Sequence, residues 1–306
     1  MRSALLWGSQ NRWLEHQFRR RRFAKKAVSR FMPGERPEDA LGEARSLSEK
    51  GISTVVTCLG ENVATVSEVD AVVQHYLDTM ERVEALGLPT HISVKLTHMG
   101  LDQGQDVAIR NLSTLAARAA RLGHTFWVDM EYSRYVDATL DVFEAARAQH
   151  PNLALCLQAY LHRTPEDLER IAGAGAAVRL VKGAYAEPPE VAMPRKADVD
   201  ASFERLALRL IELYGGSGQV PGVATHDVPL LRRIAAAASR QGWGNDRFEV
   251  QMLYGIQRAA QLQFAGEGFP TRVLISYGEA WFPWYMRRLA ERPANVGFVL
   301  RSMLGG

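Results

Sequence analysis

Apolar residues recur along this chain in two alternating patterns. Eight short runs are apolar along most of their length, which is typical of strands that are covered on both faces. Between them lie longer stretches in which apolar residues recur with the helical period. The predicted strands are residues 52–59, 91–97, 125–130, 153–160, 176–183, 221–227, 247–253 and 271–277.

Each predicted strand is followed by a predicted helix, and one further helix precedes the first strand. The helix after the fourth strand begins at Thr164, where a threonine N-cap precedes Pro165 in the first turn. The other predicted helices are residues 37–50, 67–86, 107–122, 136–149, 198–214, 229–240, 256–265 and 280–292.

This alternation predicts the fold class. Strands that alternate with helices indicate an α/β fold with a parallel sheet, and eight repeats indicate a closed (βα)8 TIM-like barrel with extra N-terminal helices. An open doubly wound sheet is the alternative, but LGEN follows the first strand where that fold usually carries GxGxxG. The predicted domains are an N-terminal helical extension, residues 1–50, and the barrel, residues 51–306.

Composition and charge narrow the class of protein. The 306 residues are 47% hydrophobic and 23% charged, as in ordinary globular proteins. No run reaches the ~18 apolar residues of a membrane span, and the N-terminal apolar run is too short for a secretory signal, so we expect a cytoplasmic protein. The net charge of +3 is too small to indicate nucleic-acid binding. Much of the excess lies in FRRRRFAKK, residues 18–26, either a solvated helix or a weak contact with anionic lipids.

The two cysteines do not indicate a metal site. Cys58 and Cys156 both fall within predicted strands, where a small buried hydrophobic role is expected. No CxxC pair or Cys/His cluster with zinc-ligand spacing is present in the sequence, so no metal is predicted.

Polar residues gather late in the predicted strands. In a barrel of this kind the active site lies where the strands end. Because an unpaired buried charge costs several kcal/mol, these groups are expected to pair with one another or with a ligand. They are Lys95 and His98, Asp129 and Glu131, Gln158, Arg179 and Lys182, Thr225, His226 and Asp227, and Glu249 and Gln251.

The last predicted helix combines basic and aromatic residues. Arg287 and Arg288 lie in its middle, with Glu291 one turn later. Arginine forks bind carboxylates in a bidentate manner, whereas the alternative is a surface Arg–Glu pair. The neighbouring aromatic residues favour a pocket wall; they are Trp281, Phe282, Trp284 and Tyr285.

Eight motifs in this order resemble a known family. They are SVKLTHMG, WVDME, LQAYL, VRLVKGAY, MPRKADVD, ATHD, FEVQMLYG and MRRLAERPAN, and they span about residues 41–300. Together they resemble the flavin-dependent proline dehydrogenase family of the monofunctional bacterial type. The resemblance implies that FAD oxidises L-proline to 1-pyrroline-5-carboxylate by hydride transfer to flavin N5. It also implies a quinone acceptor, which gives the basic N-terminal segment a reason for peripheral contact with the inner face of the membrane.

The resemblance also implies roles for individual residues. Arg287, Arg288 and Lys95 would hold the substrate carboxylate, and Glu291 would align the arginines. Asp129 would hydrogen-bond near the amine and the flavin, and Arg179 would stabilise charge during flavin reduction. The implied catalytic residues are Lys95, Asp129, Arg179, Arg287 and Arg288. The implied substrate contacts are Lys95, Leu274, Trp284, Arg287, Arg288 and Glu291. The implied cofactor contacts are Met130, Gln158, Arg179, Val181, Lys182, Gly183, Ala184, Tyr185, Thr225, His226, Asp227, Gln251 and Leu253.

Two departures from the family pattern leave alternatives open. The family usually has tyrosines where this chain has Leu274 and Trp284, and the loss of two hydroxyls disfavours a hydroxylated ring. Tyr277 or Tyr285 would be available to replace the missing contact. The alternative functions are a flavin dehydrogenase for another cyclic imino acid or secondary amine, and a non-catalytic flavin-binding barrel. A Schiff-base lyase using Lys95 or Lys182 is a further alternative.

Overall fold

Eight parallel strands close into a barrel. The computed structural model describes residues 28–215 and 217–291, with side chains as far as residue 286. Each strand pairs with the next along the chain, and the eighth pairs with the first, so the closed (βα)8 barrel is confirmed. The strands are β1 (Ser53–Cys58), β2 (Thr90–Lys95), β3 (Phe126–Asp129), β4 (Leu153–Gln158), β5 (Ala177–Val181), β6 (Gly222–Ala224), β7 (Glu249–Leu253) and β8 (Thr271–Tyr277).

Nine α-helices within the described ranges surround or cap this barrel. They are α1 (Pro37–Ser48), α2 (Val66–Ala85), α3 (Gln105–Arg121), α4 (Val136–Arg147), α5 (Thr164–Gly173), α6 (Lys196–Leu213), α7 (Val228–Arg240), α8 (Arg258–Gly266) and α9 (Trp281–Glu291). None of these helices is long and apolar enough to cross a membrane.

Local signals set the helix starts that lie beside the mouth of the barrel. Thr65 caps α2 by accepting a hydrogen bond from the backbone N–H of Glu68, whose side chain bonds back to the Thr65 N–H. Asp227 caps α7 by accepting from the Leu230 N–H at 3.2 Å. The expected Thr164 cap is wrong, since Arg163 occupies the N-cap position and the Thr164 hydroxyl donates to the Gln158 carbonyl.

Helices α1 and α9 pack on different parts of the barrel. Helix α1 packs on β1 and β8 and contributes Leu41 to the main core, although the predicted boundary placed it in the extension. Helix α9 instead forms a second apolar cluster with Phe31, Leu59 and Ile256. Because Leu59 and Ile256 directly follow the carboxyl ends of strands, α9 lies across that end of the barrel.

Inward-facing side chains fill the barrel in layers. A small apolar cluster holds Val55, Trp127 and Ala154, with Ala177 and Leu274 packed against it. At the amino-terminal end, Arg272 Nε and Glu249 Oε1 form an ion pair at 2.9 Å. The placement of Glu249 at the carboxyl end was therefore wrong, because it is the first residue of β7.

Candidate active site

An ion pair crosses the interior of the barrel near its carboxyl end. Arg179 Nη2 donates to Asp129 Oδ1, and the two side chains are 2% and 18% exposed. Ser93 joins both groups, because its Oγ donates to Asp129 Oδ1 and accepts from Arg179 Nη2, each at 2.9 Å. Burial disfavours the charged form of Arg179, but the interactions with Asp129 and Cys156 together outweigh burial and raise the arginine pKa. The site therefore contains a permanent, buried cation.

Arg179 also has N–H donors that no described residue accepts. Arg179 Nε and Nη1 are buried and have no hydrogen-bond partner among the described residues. One face of the guanidinium lies over the Trp127 ring, with Arg179 Cζ 4.8 Å from the ring centroid. Buried N–H groups without a partner are costly, so this edge is suited to a ligand that supplies acceptors.

Lys95 and its neighbours form the second part of the site. Lys95 is paired with Asp129 in the strand register, and its Nζ lies 3.8 Å from Glu61 Oε1. Nearby Glu131 is 3% exposed and accepts from the Thr97 N–H at 3.0 Å and the Thr97 hydroxyl at 2.7 Å. Burial raises the pKa of Glu131 to about 7, although the hydrogen bonds from Thr97 oppose this shift.

Gln158 connects the third and fourth strands at the mouth. Its Nε2 donates to the Glu131 carbonyl at 2.7 Å, while its Oε1 is buried without a partner among the described residues. Met130, between Asp129 and Glu131, is also buried. Gln158 is paired with Val181 in the strand register, so two implied cofactor contacts lie side by side.

The segment after β5 needs glycine at one position. Gly183 has φ +114°, and a Cβ there would overlap the ring of Tyr160. Two residues later, the Tyr185 ring lies 4.2 Å from that of Tyr132. Glu187 accepts hydrogen bonds from the Ser133 N–H and hydroxyl at 2.7 and 2.6 Å. The loops that follow β3 and β5, with Ala184 between Gly183 and Tyr185, are therefore held together.

Lys182 is already neutralised by two carboxylates. Its Nζ lies 2.6 Å from Asp200 Oδ1 and 3.0 Å from Asp227 Oδ2. Lys196 adds a second positive charge, 3.6 Å from Asp227 Oδ2. Burial opposes ionisation of both aspartates, but hydrogen bonds from Lys182 and, at Asp200, Lys196 lower their pKa. A phosphate at Lys182 would meet an ion-pair cluster.

The remaining predicted cofactor contacts differ in where they point. The Leu253 N–H donates to His226 Nε2 at 2.9 Å, and the Asp227 N–H donates to Thr225 Oγ1 at 3.2 Å, so these residues form one unit. Gln251 Nε2 instead donates to Glu249 Oε1 at 2.6 Å. Its amide is therefore turned toward the amino-terminal end.

The predicted substrate residues are only partly brought together. Leu274 packs inside the barrel, whereas Trp284 belongs to the cluster of α9. Tyr277 bonds to His75 Nε2 at 2.9 Å on helix α2, so of the two tyrosines offered as replacements this one faces the helix. Tyr285 is buried, and its hydroxyl has no partner among the described residues. The predictions for Arg287, Arg288 and Glu291 concern side chains outside the described part.

The sequence interpretation missed two residues that contact Arg179, namely Ser93 and Trp127. Each lies two positions before a polar residue at a strand end, Lys95 for Ser93 and Asp129 for Trp127. Side chains two apart face the same side of a strand, so this spacing was the available signal.

Both cysteines lie within strands of the barrel. Cys156 is buried and Cys58 is partly buried, and both are free thiols. Burial raises the pKa of Cys58 to about 11. Within residues 28–215 and 217–291, no group of three or more His, Cys, Asp or Glu side chains is placed to hold a metal ion.

Comparison with known proteins identifies the family. The model of the proline dehydrogenase family matches residues 40–301. The chain belongs to the proline dehydrogenase family. Proline dehydrogenase 2 of Bacillus subtilis subsp. natto is 33% identical over 277 residues, which cover 90% of each chain. The proline dehydrogenase of Deinococcus radiodurans is 34% identical over 284 residues, which cover 91% of this chain and 90% of the relative.

Solved structures agree on the fold. Proline utilization A (PutA) from Bdellovibrio bacteriovorus, inactivated by N-propargylglycine, matches with a TM-score of 0.80 and 21% identity. The match covers 94% of this chain and 38% of that one. The family resemblance expected from the motifs is thus confirmed, and this proline dehydrogenase family member is an enzyme, an oxidoreductase of proline metabolism.

Proposed function

We propose that this enzyme uses FAD to oxidise L-proline to 1-pyrroline-5-carboxylate. The observation that carries the proposal is Arg179, a buried cation at the carboxyl end of the barrel with two N–H donors that have no partner among the described residues. A flavin ring presents carbonyl and ring-nitrogen acceptors, and these match such an edge. The B. subtilis and D. radiodurans relatives are named proline dehydrogenases, which supports the substrate.

The donor set at the mouth fits a flavin. Among the described residues, Gln158 Oε1 is a buried acceptor without a partner and Arg179 supplies donors without one, so both kinds of group on the edge of the ring are matched. When bound, FAD supplies the hydride acceptor, N5, and the chain itself supplies position and charge. Close approach of the backbone is favoured at Gly183, and His226 and Leu253 form a rigid unit on the next strands.

The chain's own residues bind and orient the substrate in this proposal. Lys95, with Arg287 and Arg288 from α9, binds the proline carboxylate, and Glu291 aligns the arginines. Arg179 and Ser93 donate hydrogen bonds to Asp129, which holds the amine end of the substrate. Helix α9 lies across the mouth and keeps water from the reacting groups.

The proposal for electron transfer concerns the next step. A membrane quinone accepts the electrons, and the enzyme works in the cytoplasm with peripheral contact at the inner face of the membrane. The basic segment at residues 18–26, which lies outside the described residues, supports this contact by its charge alone. Two measurements test this proposal. Turnover with a water-soluble quinone in the absence of oxygen tests the acceptor, and acceleration of turnover by anionic vesicles tests the membrane contact.

A second candidate function rests on Leu274. This residue lines the barrel interior beside Trp127 where the family pattern has tyrosine, so the wall favours an apolar ring of another cyclic imino acid. The Schiff-base alternative is disfavoured at Lys182, because an ammonium held by Asp200 and Asp227 is a poor nucleophile.

Anaerobic titration with L-proline tests the proposed function. We expect a yellow protein whose visible flavin absorbance is bleached by proline and restored by quinone. Arg179→Met should lose flavin or its reduction, whereas Arg195→Met, which removes an arginine from an exposed pair with Asp198, should behave as the wild type. Bleaching by another cyclic amine but not by proline would favour the second candidate. A flavin that no imino acid bleaches would indicate a binding protein, and absence of flavin binding would refute the proposal.

A further inference from the structure

The Trp127 ring lies beneath the buried arginine and is itself firmly held. Trp127 is 4% exposed, and its Nε1 donates to His91 Nδ1 at 3.3 Å. Burial, with repulsion from Arg272 and other cations nearby, lowers the pKa of His91 well below its ordinary value, so the imidazole stays neutral and can accept this bond. His91 thus holds the edge of the indole, while Arg179 lies over its face.

Small residues on the neighbouring strands make room for this ring. Trp127 is paired with Ala154 in the strand register, and Ala154 is paired with Ala177. Two alanines in succession leave space for one indole, with Val55 and Leu274 completing the packing. Residues of three adjacent strands, β3, β4 and β5, therefore hold the Trp127 ring below Arg179.

The contacts of Arg179 show what the ring contributes. Ser93 and Asp129 bind Nη2, and the Cys156 thiol on the neighbouring strand also interacts with the guanidinium. The face of Trp127, 4.8 Å from Arg179 Cζ, fixes the plane in which Nε and Nη1 lie. A desolvated cation–π contact of this kind stabilises the stacked orientation of the guanidinium.

We propose that Trp127 is a positioning residue, which holds the Arg179 guanidinium in the plane that places its free donors against the flavin. This inference rests on the proposed function. With Trp127 in place, Arg179 is preorganised to stabilise negative charge on the reduced cofactor. Without the ring, the arginine keeps its charge but loses its orientation.

Three variants test the role of the ring. Trp127→Leu removes the aromatic face, Trp127→Phe keeps it without the N–H, and Phe264→Leu breaks a distant cation–π pair with Arg232, at 4.2 Å. We expect Trp127→Leu to shift the flavin midpoint potential to more negative values and to slow reduction by proline roughly tenfold. Trp127→Phe should recover most of both effects. Phe264→Leu should lower stability without moving the potential.

A double-mutant cycle with Arg179→Lys shows whether Trp127 acts through the arginine. Lysine keeps the charge but has no plane to orient, so Trp127→Leu should change the reduction rate by less than about twofold in that background. A full tenfold loss there, or an unmoved potential in Trp127→Leu, would overturn the proposal.

A measurement without flavin separates this inference from the proposed function. In urea unfolding of the flavin-free protein, Trp127→Leu and Arg179→Lys should be non-additive, whereas Phe264→Leu and Arg179→Lys should add. If the losses in unfolding free energy from Trp127→Leu and Arg179→Lys add, the two side chains are not energetically coupled. That result would refute the inference even if Trp127→Leu retains no flavin. A wild-type protein that binds no flavin would refute the proposed function while the unfolding result still decides the coupling.

Discussion

Arg179 on β5 and Asp129 on β3 form an ion pair across the barrel interior, although β4 lies between their strands. The pair is possible because both side chains face inward and the closed sheet brings alternate strands together. Ser93 on β2 binds both partners, so three strands meet at one buried cluster of charge. The arrangement fixes the orientation of each group before a ligand arrives.

Asp129→Asn should leave Arg179 as an uncompensated buried charge. We expect a loss of about 3 kcal/mol in the free energy of unfolding, because breaking a buried pair exposes the full desolvation cost of the remaining ion. Urea denaturation measures the loss. As a control, Asp198→Asn breaks an exposed pair with Arg195 and should cost below about 0.5 kcal/mol. Equal losses in the two variants would contradict the buried pair.

Glu131 should make stability depend on pH near neutrality. Its pKa rises from 4.5 to about 7 on folding because burial disfavours the carboxylate. The unfolded state therefore releases this proton first, and the free energy of unfolding should fall by about 3 kcal/mol as pH rises from about 4.5 to about 7. Glu131→Gln should flatten this part of the profile, while Glu166→Gln on the exposed face of α5 should leave it unchanged. If Glu131→Gln leaves the pH dependence of the free energy of unfolding unchanged, Glu131 is not its source.

Gly183→Ala should disrupt the segment that follows β5. The residue has φ +114°, and the added methyl group would overlap Tyr160, so we expect a loss of about 2 kcal/mol or more and weaker flavin retention. Gly173→Ala is the matched control, because it lies in α5 with open space around its Cβ and should stabilise by about 0.5 kcal/mol. Thermal unfolding and the flavin content after gel filtration measure both effects. Full flavin retention in Gly183→Ala would argue against this backbone position as part of the cofactor site.

Leu274→Tyr should change the preference between substrates. The wild-type wall offers an apolar side chain beside Trp127, so a ring hydroxyl gains no partner and kcat/KM should favour proline over hydroxyproline by roughly tenfold to 100-fold. In Leu274→Tyr the phenol hydroxyl can pair with the ring hydroxyl, so the ratio of kcat/KM for proline over hydroxyproline should fall. Leu262→Tyr, at an exposed position on α8, should leave it unchanged. An identical ratio in Leu274→Tyr and wild type would place the selectivity elsewhere.

The sequence predicted the order of the elements well, but not the elements against which α1 and α9 pack. Apolar periodicity reports which face of a helix is buried, and it does not report against which element. The aromatic residues of α9 indicated burial, and the structure adds that Phe31 and Leu59 are the partners. Lys182 was likewise recognised as a site residue, whereas its neutralisation by Asp200 and Asp227 required two separate helices to dock.

The sequence by itself determined the repeating strand–helix order and the late position of Lys95 and Asp129 in their strands, because these follow from local periodicity and chain direction. Arg179, also predicted late, lies in the middle of β5. Only the tertiary structure decided that Arg179 meets Asp129 and Trp127, and that Glu249 meets Arg272 at the opposite end. Contacts between inward side chains depend on the register and closure of the sheet, which join residues far apart in sequence. A local sequence pattern does not show which distant residues will meet, so the partners of a buried charge are fixed only when the barrel closes.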